Sequence, residues 1–379
     1  MKRLGALLMA LSAGATAHAA ERPLPFGAPG WELQGNGIAV ALDDGRQVLQ
    51  VESGYAYRRD VRISDGSIDF DVQLTRRRSF VYCMFRMADD REHEEIYLRP
   101  HKSALPDSLQ YAPVFQGRSG WQLYHGPGKT AATEFDPGRW THVRVMLKGP
   151  LAAVFIGDMD KPAMVMRLVR EPRPGYLAVG AFLPAGVPGT GPIARFANVV
   201  VNDAPPAFDF AAALSPAPVR DPGIVRSWAV SMPFTPESGD GVPLMPAGEA
   251  VAKLKPIEAA DDGLVELHRR VPIAADARAV TALARIHIQA ERAGVHVFDL
   301  GFSDVATVFL NGRAIYRGDA TYAFDRPRRE GLIGFDQARL YLPLDAGDNE
   351  LSVVVSDTFG GWAIMGRFPS PDGLRVTAR

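Results

Sequence analysis

The eight residues Ser67-Ile68-Asp69-Phe70-Asp71-Val72-Gln73-Leu74 alternate apolar and polar without a break. Successive side chains of a strand point to opposite faces, so this pattern fits a half-buried antiparallel strand and no helix. The same rhythm returns at Trp140 to Leu147, ends at the turn Lys148-Gly149-Pro150, and resumes at Ala152 to Ile156, its expected hairpin partner. Gly175 to Gly180 and Ala194 to Val201 complete a first block that closes near residue 203. No stretch of this block keeps a 3.6-residue period beyond two turns. With 37 glycines and 30 prolines among 379 residues, the chain is built for many turns, and the expectation is an all-β protein.

A different texture follows. Residues 204–223, with Pro205, Pro206, Pro216, Pro218 and Pro222, read as a Pro/Ala-rich linker. Further strand signals run from residue 224 to the end: Trp228 to Ser231, Ala282 to Ile288, Gly294 to Leu300, Ala306 to Leu310, Arg339 to Leu344 and Glu350 to Val355. Asn311-Gly312 is a hairpin turn, because both residues tolerate positive φ. The spacing predicts a second sandwich over 224–379 that is no copy of the first over 21–203.

Lys2 and Arg3, an apolar run from Leu4 to Ala15, and Ala17-His18-Ala19 have the form of a cleavable signal peptide over residues 1–20. The expected location is secreted or periplasmic, with no membrane insertion after cleavage, since the run is too short for a lasting anchor. The single cysteine, Cys83, sits in an apolar run and reads as a small buried side chain. A net charge of −1 offers no basic surface for nucleic acid or anionic membrane.

The chemistry concentrates in Glu94-Glu95-Ile96-Tyr97-Leu98-Arg99-Pro100-His101, followed by Gln110-Tyr111 and Gly120-Trp121-Gln122-Leu123-Tyr124. Alternation places Glu95, Tyr97 and Arg99 on one face. Arg99 can make planar bidentate contacts, and Tyr97, Trp121 and Tyr124 offer flat walls, a set that suits a sugar with polar edges and apolar faces. The competing reading is internal: a Glu95–Arg99 ion pair and a packed Tyr97. The expected ligand-binding set is Glu95, Tyr97, Arg99, His101, Gln110, Tyr111, Trp121 and Tyr124.

These strands resemble the concanavalin A-like lectin/glucanase superfamily in its laminin G-like branch. The resemblance rests on Gly66 to Val72, Phe80 to Arg86, Tyr97-Leu98-Arg99-Pro100-His101, Trp140 to Val145 and Ala194 to Asn198, and covers roughly residues 30–203. It implies a two-sheet jelly roll, a fold shared by glycan-binding modules, adhesion modules and glycoside hydrolases, so fold does not settle function. The later block resembles a galactose-binding-like β-sandwich through Trp228, Val308-Phe309-Leu310-Asn311-Gly312 and Gly347-Asp348-Asn349-Glu350-Leu351.

A glycosidase needs two carboxylates about 5 Å apart if retaining, or roughly 6.5–9.5 Å apart if inverting. The Glu-x-Asp-x-x-Glu strand of concanavalin A-like glucanases is absent. Asp69, Asp71, Glu94 and Glu95 are the candidates that remain, and polar alternation on a solvated strand explains the aspartates equally well. His93, His101, His125 and His142 lack zinc-site spacing. Asp158-Met159-Asp160 and Ser238-Gly239-Asp240-Gly241 offer oxygens to a structural calcium but read more simply as turns. No cofactor is expected. In the second block, Arg326, Arg328 and Arg329 share a loop, and Asp357-Thr358-Phe359-Gly360-Gly361-Trp362 either exposes an aromatic or folds Trp362 over the sandwich end. The leading expectation is non-catalytic glycan binding, ahead of glycoside hydrolysis and protein-partner adhesion.

Overall fold

The computed structural model describes residues 21–216, 221–239, 242–323 and 331–378. The expected signal peptide, Pro218, Asp240-Gly241 and the arginines at 326, 328 and 329 lie outside them. Nearly all regular structure is β.

The first half contains the strands β1 (Glu32–Asp43), β2 (Arg46–Ile63), β3 (Gly66–Leu74), β4 (Phe80–Asp89), β5 (Glu92–Leu98), β6 (Leu109–Phe115), β7 (Trp140–Lys148), β8 (Leu151–Ile156), β9 (Met164–Arg167), β10 (Gly175–Phe182) and β11 (Ala194–Asn202). They form one antiparallel array in the order β9-β8-β7-β3-β11-β2-β10-β4-β5-β6, with β1 paired to β2. The 18-residue β2 is the corner. Its Leu49 to Val51 pair with β11, whereas Gly54 to Arg58 pair with β10, so one strand serves both layers. At the bend Gly35 faces Gly54, and a Cβ on Gly35 would lie 2.4 Å from the Gly54 Cα. Only glycine permits that approach.

The alternation read in β3 buries Ile68, Phe70, Val72 and Leu74 between the layers, against Val143, Val145 and Leu147 of β7. Leu177 and Val179 of β10, Val81, Cys83 and Phe85 of β4, and Ile96 and Leu98 of β5 close the core from the other layer. Each such side chain contributes about 1.5–3 kcal/mol on full burial. Burial pushes the Cys83 thiol up to about 12, which keeps it neutral.

In the second half, β12 (Ser227–Val230), β13 (Lys255–Glu258), β14 (Val280–Ala290), β16 (Val305–Leu310), β17 (Arg313–Asp319) and β19 (Gly347–Asp357) form one sheet in the order β13-β12-β14-β19-β16-β17. Val265–Glu266, β20 (Ala363–Arg367), β15 (Gly294–Ser303) and β18 (Ala338–Leu344) form a second. Trp228, Phe298, Leu300, Val353 and Trp362 fill the space between them. Asn311-Gly312 joins the β16–β17 hairpin as expected. β19 begins at Gly347, and β18 pairs with β15 instead of its chain neighbour β19.

The residues read as a linker are partly seated: Phe210 is 2% exposed and packs with Phe208 against Phe155. The two halves also meet directly. Leu264, Ile333, Ala363 and Met365 join the first core, and Gln116 donates to the carbonyls of His268 (2.8 Å) and Val271 (2.9 Å).

Candidate functional site

The face of β2, β10, β4, β5 and β6 that points away from the core carries a transverse row of aromatic side chains. Tyr55 pairs with Gly180, Gly180 with Tyr82, Tyr82 with Tyr97, and Tyr97 with Gln110. Residues directly opposite across antiparallel strands present side chains to the same face, so five adjacent strands place three tyrosines and a glutamine in line. The missing side chain at Gly180 is what lets Tyr55 and Tyr82 approach to 6.0 Å between ring centroids, for a Cβ there would lie 2.5 Å from the Tyr55 ring. Tyr82 and Tyr97 are 5.3 Å apart. Phe182 pairs with Phe80 in the row above, at 6.2 Å, and Phe80 also packs on Tyr97 and His101. Phe182 is 44% exposed, and Tyr55, Phe80 and Tyr82 are half-buried.

The expected residues divide between this face and the core. Tyr97, Arg99 and Gln110 come together: Arg99 donates to the Tyr97 hydroxyl (2.8 Å) and to Gln110 Oε1, which also accepts from the Tyr97 hydroxyl at 2.6 Å. Gln110 Nε2 donates to the carbonyls of Trp121 (2.7 Å) and Tyr124. All three side chains are buried and bonded to one another, so they build the floor of the face. The anticipated Glu95–Arg99 pair does not form. Arg99 pairs with Asp107 (3.2 Å), and Glu95 accepts from Ser119 Oγ (2.9 Å) with His93 at 3.4 Å. Tyr111 follows Gln110 on β6 and therefore faces the other way, into the core, where its hydroxyl donates to Glu94 (2.6 Å). Tyr124 is likewise a core residue, stacked edge-on against Tyr111 at 5.6 Å. His101 sits in the 3-10 turn Pro100–Lys102 at the rim; burial, with Arg78, Arg99 and Lys102 close by, lowers its imidazole to about 4.

The four candidate carboxylates do not converge. Glu94 and Glu95 are sequence neighbours on β5 and take opposite faces; burial raises the Glu94 carboxyl despite Tyr111, Arg170 and Arg86. Asp69 and Asp71 lie on β3, on the outward side of the other layer. There His142 bridges them, with Nε2 3.1 Å from Asp69 and Nδ1 2.8 Å from Asp71, while Arg144 holds Asp69 and Asn198 donates to Asp71. Asp158 Oδ1 accepts from the backbone of Asp160 (2.9 Å) and Lys161 (3.2 Å), an ordinary turn. Among the described residues no group of three His, Cys, Asp or Glu side chains is placed to hold a metal ion.

The loop at 357–362 does both things expected of it. Trp362 is fully buried, its indole N–H donating to the Val355 carbonyl at 3.3 Å, whereas Phe359 is 53% exposed. Tyr55, Phe80, Tyr82 and Phe182 lie outside the set expected from sequence. The available signal was the period-two pairs Tyr55-x-Tyr57 and Phe80-x-Tyr82, which present aromatics away from a core already filled by their neighbours.

No family model matches the chain, and no curated protein matches it. Among solved structures it is similar to a carbohydrate-binding module of Bacillus subtilis, at 13% identity and a TM-score of 0.33, over 45% of this chain and 93% of that one. A β-glucanase of Bacillus licheniformis is similar at 13% identity and a TM-score of 0.37, over 49% and 98%. Two structures of the Crh5 transglycosylase are similar at 13% identity and TM-scores of 0.37 and 0.35, over 50% of this chain and 87% and 86% of theirs.

Proposed function

We propose that the protein binds a glycan on the outer face of β2, β10, β4, β5 and β6, outside the cytoplasm. The observation that carries this reading is the Tyr55–Gly180–Tyr82–Tyr97 row: a line of rings on one face, opened by one glycine. Pyranose rings have flat apolar C–H faces that pack on aromatic side chains, with hydroxyls left for the polar rim. Because Arg99 and Gln110 spend their hydrogen bonds on each other, on Tyr97, on Asp107 and on backbone, the rings of Tyr55, Tyr82, Phe80 and Phe182 are what meets the ligand. The signal-peptide pattern supports the location. The Asn311-Gly312 hairpin and the strand beginning at Gly347 support reading the second half as a galactose-binding-like sandwich.

The test is calorimetric titration against an oligosaccharide panel. Tyr82→Ala and Phe182→Ala should each lose about 0.5–1.5 kcal/mol, roughly 2- to 12-fold in Kd, with unfolding still cooperative. Unchanged affinity in both variants sinks the reading. Hydrolysis is the second reading, and Glu95 favours it as a carboxylate on this face, 3% exposed and held by Ser119. If product accumulates with the wild-type protein and stops with Glu95→Gln, hydrolysis replaces simple binding.

A further inference from the structure

We propose that the second half supplies the far wall of this groove, so that one glycan chain is held by both halves at once; this rests on the glycan reading above. The end of the transverse row is physically joined to the second half. Gln110 donates to the Trp121 carbonyl, and the Trp121 ring lies 5.3 Å from Tyr322, edge-on at 89°, and 6.2 Å from Phe359. Tyr322 and Phe359 are themselves 6.2 Å apart. Arg78 donates to the Tyr322 hydroxyl and stands close enough to His101 to depress its imidazole, and His101 packs on Phe80 at 5.6 Å. Three rings from two halves thus continue the aromatic surface beyond β6.

The loop that carries Phe359 is held in place by specific bonds. Asp304 Oδ2 accepts from the Thr358 N–H (2.9 Å), the Thr358 hydroxyl (2.9 Å) and the Phe359 N–H (3.0 Å). Gln122, next to Trp121, donates to Asp304 Oδ1 (3.1 Å) and accepts from the Gly361 N–H (3.0 Å). Gly360, at φ +93°, permits the close approach: a Cβ there would lie 1.9 Å from Gln122 Oε1 and 3.1 Å from the Trp121 indole nitrogen. With its backbone fixed this way, the ring of Phe359 remains 53% exposed.

The geometry points to a ligand class. Tyr55 to Gln110 spans four inter-strand steps of about 4.8 Å, about 19 Å, before Trp121 and Phe359 extend it. A monosaccharide covers one ring of that line. An extended oligosaccharide of equatorially linked pyranoses presents alternating flat faces along its length and reaches from the tyrosines to the wall.

The experiment titrates cellohexaose, xylohexaose and laminarihexaose, with their disaccharides, into wild type, Tyr82→Ala, Phe359→Ala and Phe359→Leu. For the hexasaccharide that binds best, both Phe359 variants should weaken Kd about three- to tenfold, the leucine included because it keeps apolar bulk and loses the flat ring. The matching disaccharide should move less than about twofold, while Tyr82→Ala weakens both. Unchanged hexasaccharide binding in the Phe359 variants, with Tyr82→Ala still impaired, overturns the shared wall and leaves the groove reading standing. Equal loss for the disaccharide overturns the two-half chain. If Tyr82→Ala is unimpaired, or wild type binds none of the six sugars, the groove reading fails and the wall with it.

Discussion

Replacing Asp304 with alanine is expected to lower the unfolding free energy by about 3–5 kcal/mol, among the larger losses a single substitution gives. The carboxylate is fully buried and accepts from five donors: Gln122, Ser303, the Thr358 hydroxyl, and the backbone N–H groups of Thr358 and Phe359. Alanine removes every acceptor at once, and each donor left dry costs about 1–3 kcal/mol, offset where water enters. A further offset is specific to this site, because losing the Asp304 charge relieves Asp357. Urea unfolding followed by tryptophan fluorescence measures the result. A midpoint shift worth less than about 1 kcal/mol would show that the 357–362 loop is held by something other than Asp304.

The second large effect depends on pH. Asp357 is fully buried; that burial, and then the charge of Asp304, push its carboxyl up to about 7, against the pull of Arg118 at 3.4 Å. An unfolded aspartate titrates near 3.9, so between about pH 4 and pH 7 the folded chain keeps a proton that the unfolded chain has released. Stability therefore falls as pH rises through that window, by at most about 4 kcal/mol for a shift of about three pKa units. Below about pH 4 the term vanishes, and above about 7 it is present in full. His101 acts in the opposite sense. Its folded value of about 4 lies below the ordinary histidine value of about 6.5, so stability is gained as pH rises from about 4 to 6.5. The two partly cancel in wild type. The difference between wild type and Asp357→Asn isolates the aspartate: the variant should gain relative stability steadily from pH 4 to 7 and hold it above. A difference flat with pH would mean that Asp357 is ionised in the folded protein throughout.

Much of the architecture is legible in local patterns. Strict alternation in Ser67 to Leu74 and Trp140 to Leu147 identifies both the strands and their buried faces, and Asn311-Gly312 identifies a hairpin. Asp44-Gly45, with φ values of 48° and 77°, carries the same turn chemistry and marks the β1–β2 hairpin that alternation alone leaves unseen. The parity that unites Tyr97 with Arg99 also sends Tyr111 away from Gln110, so its core position was readable from β6.

What local pattern does not hold is register between distant strands. Tyr55, Gly180 and Tyr82 are brought into one row by pairings of β2 and β4 with β10, which lies about a hundred residues further along the chain. Asp304 and Asp357 meet because Val305 pairs with Ser356, and nothing near either residue announces it. Trp121 and Tyr124 look alike in sequence, yet one reaches the seam between the halves and the other the core.

Fluorine NMR of protein labelled with 3-fluorotyrosine tests the proposed glycan-binding face most directly, because the chain has only 10 tyrosines and they are distributed over the core, this face and remote surface. Titration with a binding hexasaccharide should move the resonances of Tyr55 and Tyr82 first, with Tyr322 following if the wall is shared. Tyr111 in the core and Tyr341, 66% exposed on β18 of the second half, should stay still. Movement confined to Tyr341, or saturable binding that leaves Tyr55 and Tyr82 unmoved, would contradict the assignment of this face as the glycan site.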